Sequence, residues 1–356
     1  MFGKKKPMLL VCSVIISSVF IFGACSNSEN NSLKGFELKG EAQGTTYTVI
    51  VAEESIDFTK EDIGKLLLDF DNVLSTYNPT SNLTLLNASE IDYAFLDKNN
   101  YFKNCYELSR SVYNVSDANF DPSVFPLVKG WGFFKKMETP LDQKQIDSLL
   151  SFVSFQENEL HSIKFKNDSV VVVKKDPRFK LDFNAIAQGY SVDVLAEFIE
   201  SRGCKNYYIE IGGELRLKGK NREGKNWKIG IDTPKELNNG GENREITGIL
   251  NISNKSIATS GNYRNFYEVD GKKYSHTLNP KTGYPVQHNL LSATVIANNC
   301  GIADAFATVF MVVGLEESKK ILANNSFDLD AVLIYQGVNG KLEYFTTPKA
   351  KSYFSE

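Results

Sequence analysis

Apolar residues recur along this chain in two rhythms, and the elements they predict are interleaved from end to end. Leu33 to Glu53 alternates apolar and polar positions around Gln43-Gly44, which predicts a hairpin that begins the folded body. Ile63, Leu66, Leu67, Phe70, Val73, Leu74 and Tyr77 then follow at helical spacing, opened by the capping pair Thr59 and Asp62 and stopped by Asn78-Pro79. A second helix is predicted over Tyr101 to Val115, and a third, shorter one from Thr139-Pro140 to about Phe152. His161 to Phe165 and Ser169 to Lys174 read as a hairpin around Asn167-Asp168, and FKLDF at 179–183 reads as a strand. That strand leads through a tight turn into a helix with Val192, Leu195, Ala196 and Ile199 inward and Gly203 as its stop.

Strands dominate from there on. They are predicted at Asn206 to Ile211 and Glu214 to Leu217 around Gly212-Gly213, then at Trp227 to Ile231, Ile246 to Ile252, Ser256 to Thr259, Tyr263 to Val269 and Lys272 to Ser275, the last two joined at Asp270-Gly271. The charged run Lys218 to Lys228 is a solvated turn between strands, and DAVLIYQGV with LEYFTT closes the chain as a hairpin. Such mixing predicts one α+β domain over 34–356, built of mixed, largely antiparallel sheets with packed helices, in two lobes around a cleft.

One predicted helix breaks the usual rules. Asp304 is the only Asp, Glu, Lys or Arg between Lys281 and Glu316. Ile302, Phe306, Val309, Phe310 and Val313 form one apolar face, while Asp304 and Thr308 share the other with Ala307 and Met311. A helix apolar nearly all round is buried, and a lone buried carboxylate there costs several kcal/mol. Two readings follow. Asp304 and Thr308, at i and i+4, offer hard oxygens to a divalent cation such as Mg²⁺; or Asp304 opposes the helix dipole and Thr308 bonds back to a carbonyl. Asp182, in the turn before an earlier helix, likewise suits a ligand or a helix cap. The aromatic loop around Trp131 and Phe133 could stack on a flat ring or pack in the core.

Charge and cysteine content narrow the class. A formal net charge of -3 without a basic block excludes binding that rests on neutralising nucleic-acid phosphates. Lys4 to Lys6, the apolar run Met8 to Phe22 and Gly23-Ala24-Cys25 have the form of an export signal over residues 1–24 with a lipobox, making Cys25 the lipidated first residue before a polar tether over 25–33; the alternative is an uncleaved anchor, for which the apolar run is slightly short. The body would then lie on the extracytoplasmic, periplasmic side of a bacterial membrane. Cys105, Cys204 and Cys300 lack CxxC spacing and read as buried free thiols, and His161, His276 and His288 lack paired zinc-ligand spacing.

In chain order stand GTTY at Gly44 to Tyr47, LSTY at Leu74 to Tyr77, the DPSVFPLVKGWGF loop at Asp121 to Phe133 and the LDFNAIAQGYSVD segment at Leu181 to Asp193. IGGELRLKG at Ile211 to Gly219, TSG at Thr259 to Gly261, SHTLNPKTG at Ser275 to Gly283 and ADAFAT at Ala303 to Thr308 follow. Together they resemble the ApbE family of FAD:protein FMN transferases, over nearly the whole chain after the signal. The resemblance implies an ApbE-like, T-fold-related domain that uses FAD as substrate and Mg²⁺ as cofactor, and that acts on an acceptor flavoprotein such as a subunit of a membrane redox complex. It implies that Asp304, Thr308 and the Ala185 carbonyl hold the metal. Gln43, Tyr77, Ser123, Val124, Phe125, Asp182, Gln188 and Leu278 would line the FAD site, and His276 would take the acceptor's proton unless it merely braces its turn.

Two departures stand out: many members carry Lys at the position of Gln188 and Asp at that of Asn279. The expected reaction moves FMN to a Ser or Thr hydroxyl with release of AMP. Water in place of the hydroxyl would make an FAD pyrophosphatase, and absence of any reaction a flavin-binding lipoprotein.

Overall fold

Gln43 and Gly44 both adopt left-handed backbone, φ 55° and 72°, the conformation a two-residue hairpin turn between twisted strands requires, and they fold the first strand onto the second. The computed structural model describes residues 35–133, 140–234, 245–262, 266–269, 272–324 and 326–354. The signal segment, Cys25, the tether, Thr139 and the Asp270-Gly271 turn lie outside them.

In chain order the elements are β1 (Phe36–Ala42), β2 (Thr45–Val51), α1 (Lys60–Leu74), α2 (Asn82–Ala88), β3 (Tyr93–Leu96), α3 (Tyr101–Val115), α4 (Phe125–Gly130), α5 (Gln143–Leu150), β4 (His161–Lys166), β5 (Ser169–Lys174) and α6 (Ala187–Ser201). They continue with β6 (Tyr207–Ile211), β7 (Glu214–Lys218), β8 (Trp227–Asp232), β9 (Ile246–Ile252), β10 (Lys255–Gly261), β11 (Phe266–Val269), β12 (Lys272–Ser275), β13 (Leu290–Ala297), α7 (Cys300–Val313), α8 (Leu315–Asn324), β14 (Asp330–Gln336), β15 (Leu342–Thr346) and α9 (Pro348–Lys351).

An antiparallel sheet in the order β1-β2-β6-β7-β10-β13-β14-β15 is the frame. Its alternating side chains feed two cores. Tyr207, Ile209 and Ile211 of β6 face α1 and α6, where they meet Ile63, Leu67, Val192, Leu195, Ala196 and Ile199. Tyr208, Leu215 and Leu217 face the opposite way, onto the β8–β9 ribbon through Trp227, Ile229 and Leu250. On the helix side α7 runs over β10 and β13, and beyond it Phe102, Tyr106 and Phe183 join a larger core shared with α3 and the small sheet β3-β5-β4. The α+β reading therefore holds.

Helix α7 is capped from outside its own sequence. Asn299 makes no side-chain cap bond; instead Asp193 of α6 accepts from the amides of Cys300 at 2.9 Å and Gly301 at 2.8 Å, and is itself held by Arg216 of β7 at 2.6 Å. Helix α6 comes this close because Gly189 has no side chain: a Cβ there would sit 2.5 Å from the carbonyl oxygen of Cys300 and 2.7 Å from Cβ of Asp304.

Several expectations need correction. The helix predicted to reach Tyr77 ends at Leu74, because the Ser75 hydroxyl takes the amides of Tyr77 and Asn78 and competes with the helical ladder. FKLDF is not a strand: Asn87 bonds both the amide and the carbonyl of Leu181, and Pro122 takes the amide of Asp182, so side chain and loop replace a sheet partner. The short helix starts at Gln143, with Asp142 and Gln145 as its capping box, rather than at Thr139-Pro140. The elements α2, β3, β13, α8 and α9 are additions, as is α4, which forms within the stretch read as a loop around Trp131. Strand β13, LLSATVIA, is buried on both faces and so lacks the alternation that marks a half-exposed strand. Trp131 is 1% exposed, packs on Leu127, Ile146 and Leu278, and donates to the carbonyl of Gly283, which gives it to the core rather than to ring stacking. Cys105, Cys204 and Cys300 are buried free thiols, as read from their spacing.

His161 is fully buried, stacked on Phe179 with 4.1 Å between ring centroids, and burial lowers its imidazole to about 4. Because the unfolded chain binds the proton more readily, this group's contribution is intact above the unfolded pKa of 6.5 and is lost as pH falls toward 4, by about 3 kcal/mol in all. Urea unfolding of His161→Phe and the parent should therefore diverge in slope between pH 6.5 and 4, the variant being the flatter; parallel curves would refute the assignment. Gly189→Ala should lose about 3 kcal/mol or more by overpacking the α6–α7 crossing, read as a lowered thermal midpoint.

Candidate active site

The segment Leu181 to Gly189 is where the motifs converge. Its first residues are pinned by Asn87 and Pro122; Asn184 reaches Thr76, beside Tyr77, at 3.2 Å; and the helix that follows sends the Ser191 hydroxyl to Gln43 at 3.1 Å. Gln188 lies over the β6–β7 turn, its Nε2 only 2.0 Å from where a Cβ on Gly212 would stand, and Gly212 adopts φ 64°. One loop thereby gathers Gln43, Asp182, Ala185 and Gln188, with the residue before Tyr77 at its edge.

At the end of that loop sits the unusual carboxylate. Asp304 is 7% exposed and accepts from the amide of Gly189 at 3.0 Å through Oδ2. Gly189 lies in the first turn of α6, where an amide has no carbonyl of its own helix to reach, and Asp304 takes up that free donor. Among the described residues no Lys or Arg pairs with Asp304, and burial pushes its carboxyl up to about 7. Asp193 already occupies the helix N-terminus, so the dipole reading of Asp304 loses its motive. The Thr308 hydroxyl, one turn on, meets that of Ser260 on β10 at 3.4 Å.

Those groups fit a divalent cation. A buried carboxylate that no Lys or Arg pairs with among the described residues, a hydroxyl one turn along the same helix and the Ala185 backbone carbonyl are all hard oxygens, the donor type Mg²⁺ takes. Neighbouring Glu214 strengthens the point. It is 8% exposed, its Oε2 has no hydrogen-bond partner, and burial together with Asp304 pushes it well above the usual carboxylate range.

The remaining predicted residues occupy two further groups. Asp182 is buried, accepts from the amide of Asn184 at 2.8 Å and is pushed up to about 6 by burial. Ser123 is fully buried and gives its hydroxyl to Asp121, whose carboxyl burial likewise lifts to about 6. Val124 and Phe125 are half-buried at the start of α4, and Val124 packs against the same small core as Leu278. Tyr77 is 72% exposed. A surface cleft of about 350 Å³ borders Asp121 and Lys281 but does not include Asp304.

His276 is exposed and follows β12 directly, between Ser275 and Thr277, whose hydroxyls both bond to Asn262. Asn279 has a structural duty: its side-chain oxygen accepts from the amides of Lys281 and Thr282 and fixes the PKTG turn. Asp could accept the same two bonds, so that departure leaves the turn unchanged. Glu214, Asp193 and Arg216 were hidden within motifs read as strand and helix. A clue was available for Glu214, an acidic residue at an inward strand position.

The sequence profile of the ApbE family matches residues 43–333. An FAD:protein FMN transferase of Haemophilus influenzae is 32% identical over 314 residues, 86% of this chain and 88% of that protein. One from Escherichia coli K12 is 31% identical over 330 residues, 89% of this chain and 88% of its own. Among solved structures, the flavin transferase ApbE of Vibrio cholerae superposes with a TM-score of 0.77 at 27% identity, covering 90% of this chain and 99% of that one. The apo flavinyl transferase ApbE of Pseudomonas stutzeri gives 0.77 at 28% identity, with 90% and 97% coverage. With eight motifs in order, a loop that draws them together and relatives matched along most of both chains, this chain belongs to the ApbE family.

Proposed function

We propose that this protein transfers flavin from FAD to a protein acceptor, moving the FMN half onto a Ser or Thr hydroxyl. The observation that carries this reading is Asp304, a desolvated carboxylate that meets the Gly189 amide and that no Lys or Arg pairs with among the described residues, with Thr308 one turn further along α7 and Ala185 four residues before Gly189 in the chain. Those three groups would hold Mg²⁺, which when bound supplies charge neutralisation at phosphate oxygens.

The protein's own residues account for the rest. The segment from Asp182 to Gln188, with Gln43 and the residues around Ser123 and Leu278, would seat the dinucleotide. Gln188 offers amide hydrogens to phosphate but no charge. The acceptor oxygen forms a bond to the FMN-side phosphorus as the bond from that phosphorus to the bridging oxygen breaks; AMP leaves with that oxygen. His276 takes the hydroxyl proton, for which its exposed position at the end of β12 is suited. Lys4 to Lys6, the apolar run and Gly23-Ala24-Cys25 support export and lipid attachment at Cys25, which would hold the enzyme on the outer side of a bacterial membrane beside a membrane redox acceptor. Among the described residues no helix is long and apolar enough to cross a membrane.

Incubation with FAD, Mg²⁺ and an acceptor domain should give a fluorescent band that survives denaturation, with AMP released in equal amount. Free FMN formed without acceptor would identify a pyrophosphatase instead. Asp304→Asn keeps an acceptor for the Gly189 amide but removes the charge, and should lower labelling by about 100-fold or more while the protein stays folded; undiminished labelling would contradict the metal assignment. Asn279→Asp should leave the rate within about threefold, because either side chain holds the turn; a rise of tenfold or more would make a carboxylate there a base.

A further inference from the structure

Glu214 is a buried acid without an evident structural purpose. Strand alternation fixes its direction: Leu215 and Leu217 join the core beneath the β8–β9 ribbon, so Glu214 and Arg216 point to the helices. Arg216 bears this out by reaching Asp193 on α6 at 2.6 Å. Glu214 lies one pleat nearer the Gly212-Gly213 turn, the turn that Gln188 covers, and it feels the charge of Asp304. Its Oε2 is sealed from solvent with no hydrogen-bond partner, and among the described residues no Lys or Arg pairs with it. Two desolvated like charges on one side of the sheet raise each other's energy, and a structural hydrogen bond could relieve only one of them. A single divalent cation opposes both.

We propose that Glu214 is a second carboxylate of the divalent-cation site formed by Asp304, Thr308 and the Ala185 carbonyl, with Oε2 facing the ion. This rests on the metal reading of Asp304 given above. It assigns the site a net charge of -2 from the protein, enough to match one Mg²⁺ or Mn²⁺ before any phosphate arrives.

Binding of Mn²⁺ to the purified full-length protein, followed by electron paramagnetic resonance, tests this without reference to turnover. Glu214→Gln should weaken Mn²⁺ by about 10- to 100-fold and raise the thermal midpoint of the metal-free protein, since it removes a buried charge while keeping the shape. Glu214→Asp keeps the charge but withdraws it by one methylene, and should weaken Mn²⁺ less without stabilising the metal-free form. Unchanged affinity in both variants would overturn the proposal, as would a Glu214→Gln protein that is less stable without metal. Asp304→Asn separates the two levels: if it abolishes Mn²⁺ binding while Glu214→Gln does not alter it, Glu214 alone is misassigned. If neither change affects Mn²⁺, the metal reading itself falls.

Discussion

The hydrogen bond from the Gly189 amide to Asp304 sets the geometry of this protein's centre. It takes an amide that the first turn of α6 leaves without a partner and gives it to a carboxylate of α7, so that two helices are joined through a bond that neither helix contains alone. A helix N-terminus carries a partial positive charge, and placing it against Asp304 offsets part of the anion's desolvation without neutralising it. The remainder is what a cation would find. Only glycine permits the approach, since a Cβ at 189 would collide with the backbone of Cys300.

Around that bond the motifs are mutual supports. Asp193, five residues after Gln188, caps α7 and is clamped by Arg216 from the strand after the Gly-Gly turn. Two segments remote in sequence from α7, those of Asp193 and Arg216, thus fix the start of the helix that carries Asp304 and Thr308. The arrangement lets α7 be apolar along nearly its whole surface, because its polar end groups are answered by residues from elsewhere. Asn87 does the same for the Leu181 backbone, which can then run through the core without a neighbouring strand.

Much of this was legible in advance, for definite reasons. The Thr59–Asp62 capping box, the Gln43-Gly44 hairpin and the bounds of α3 are local, and local chemistry decides them. Asp304 stood out because a single charge in an apolar helix needs an explanation whatever the fold. Hidden features depend on residues remote in sequence. FKLDF has the composition of a strand, and only the side chain of Asn87 shows why it need not pair. Ser75 ended α1 one turn early through bonds made by its own hydroxyl, a competition that spacing of apolar residues does not reveal. Glu214 gave only a partial clue, because strand position alone does not tell whether an inward acid has a partner; its orphaned oxygen is visible only in three dimensions.

The electrostatics of the centre also imply an order of events under the proposed reading. Asp304 and Asp182 are both buried, with carboxyls pushed up to about 7 and about 6, and burial together with Asp304 raises Glu214 well above the usual carboxylate range. A dinucleotide carries its own negative phosphates, and bringing them beside uncompensated buried carboxylates would add repulsion in a region where water screens little. Gln188 brings no positive charge to relieve it. Under that reading a divalent cation held by these acids would have to be in place before, or arrive with, the nucleotide, and it would supply the charge neutralisation that these side chains do not. The two large apolar cores on either face of the sheet stabilise the frame independently of those acids, and so offset the cost of burying them.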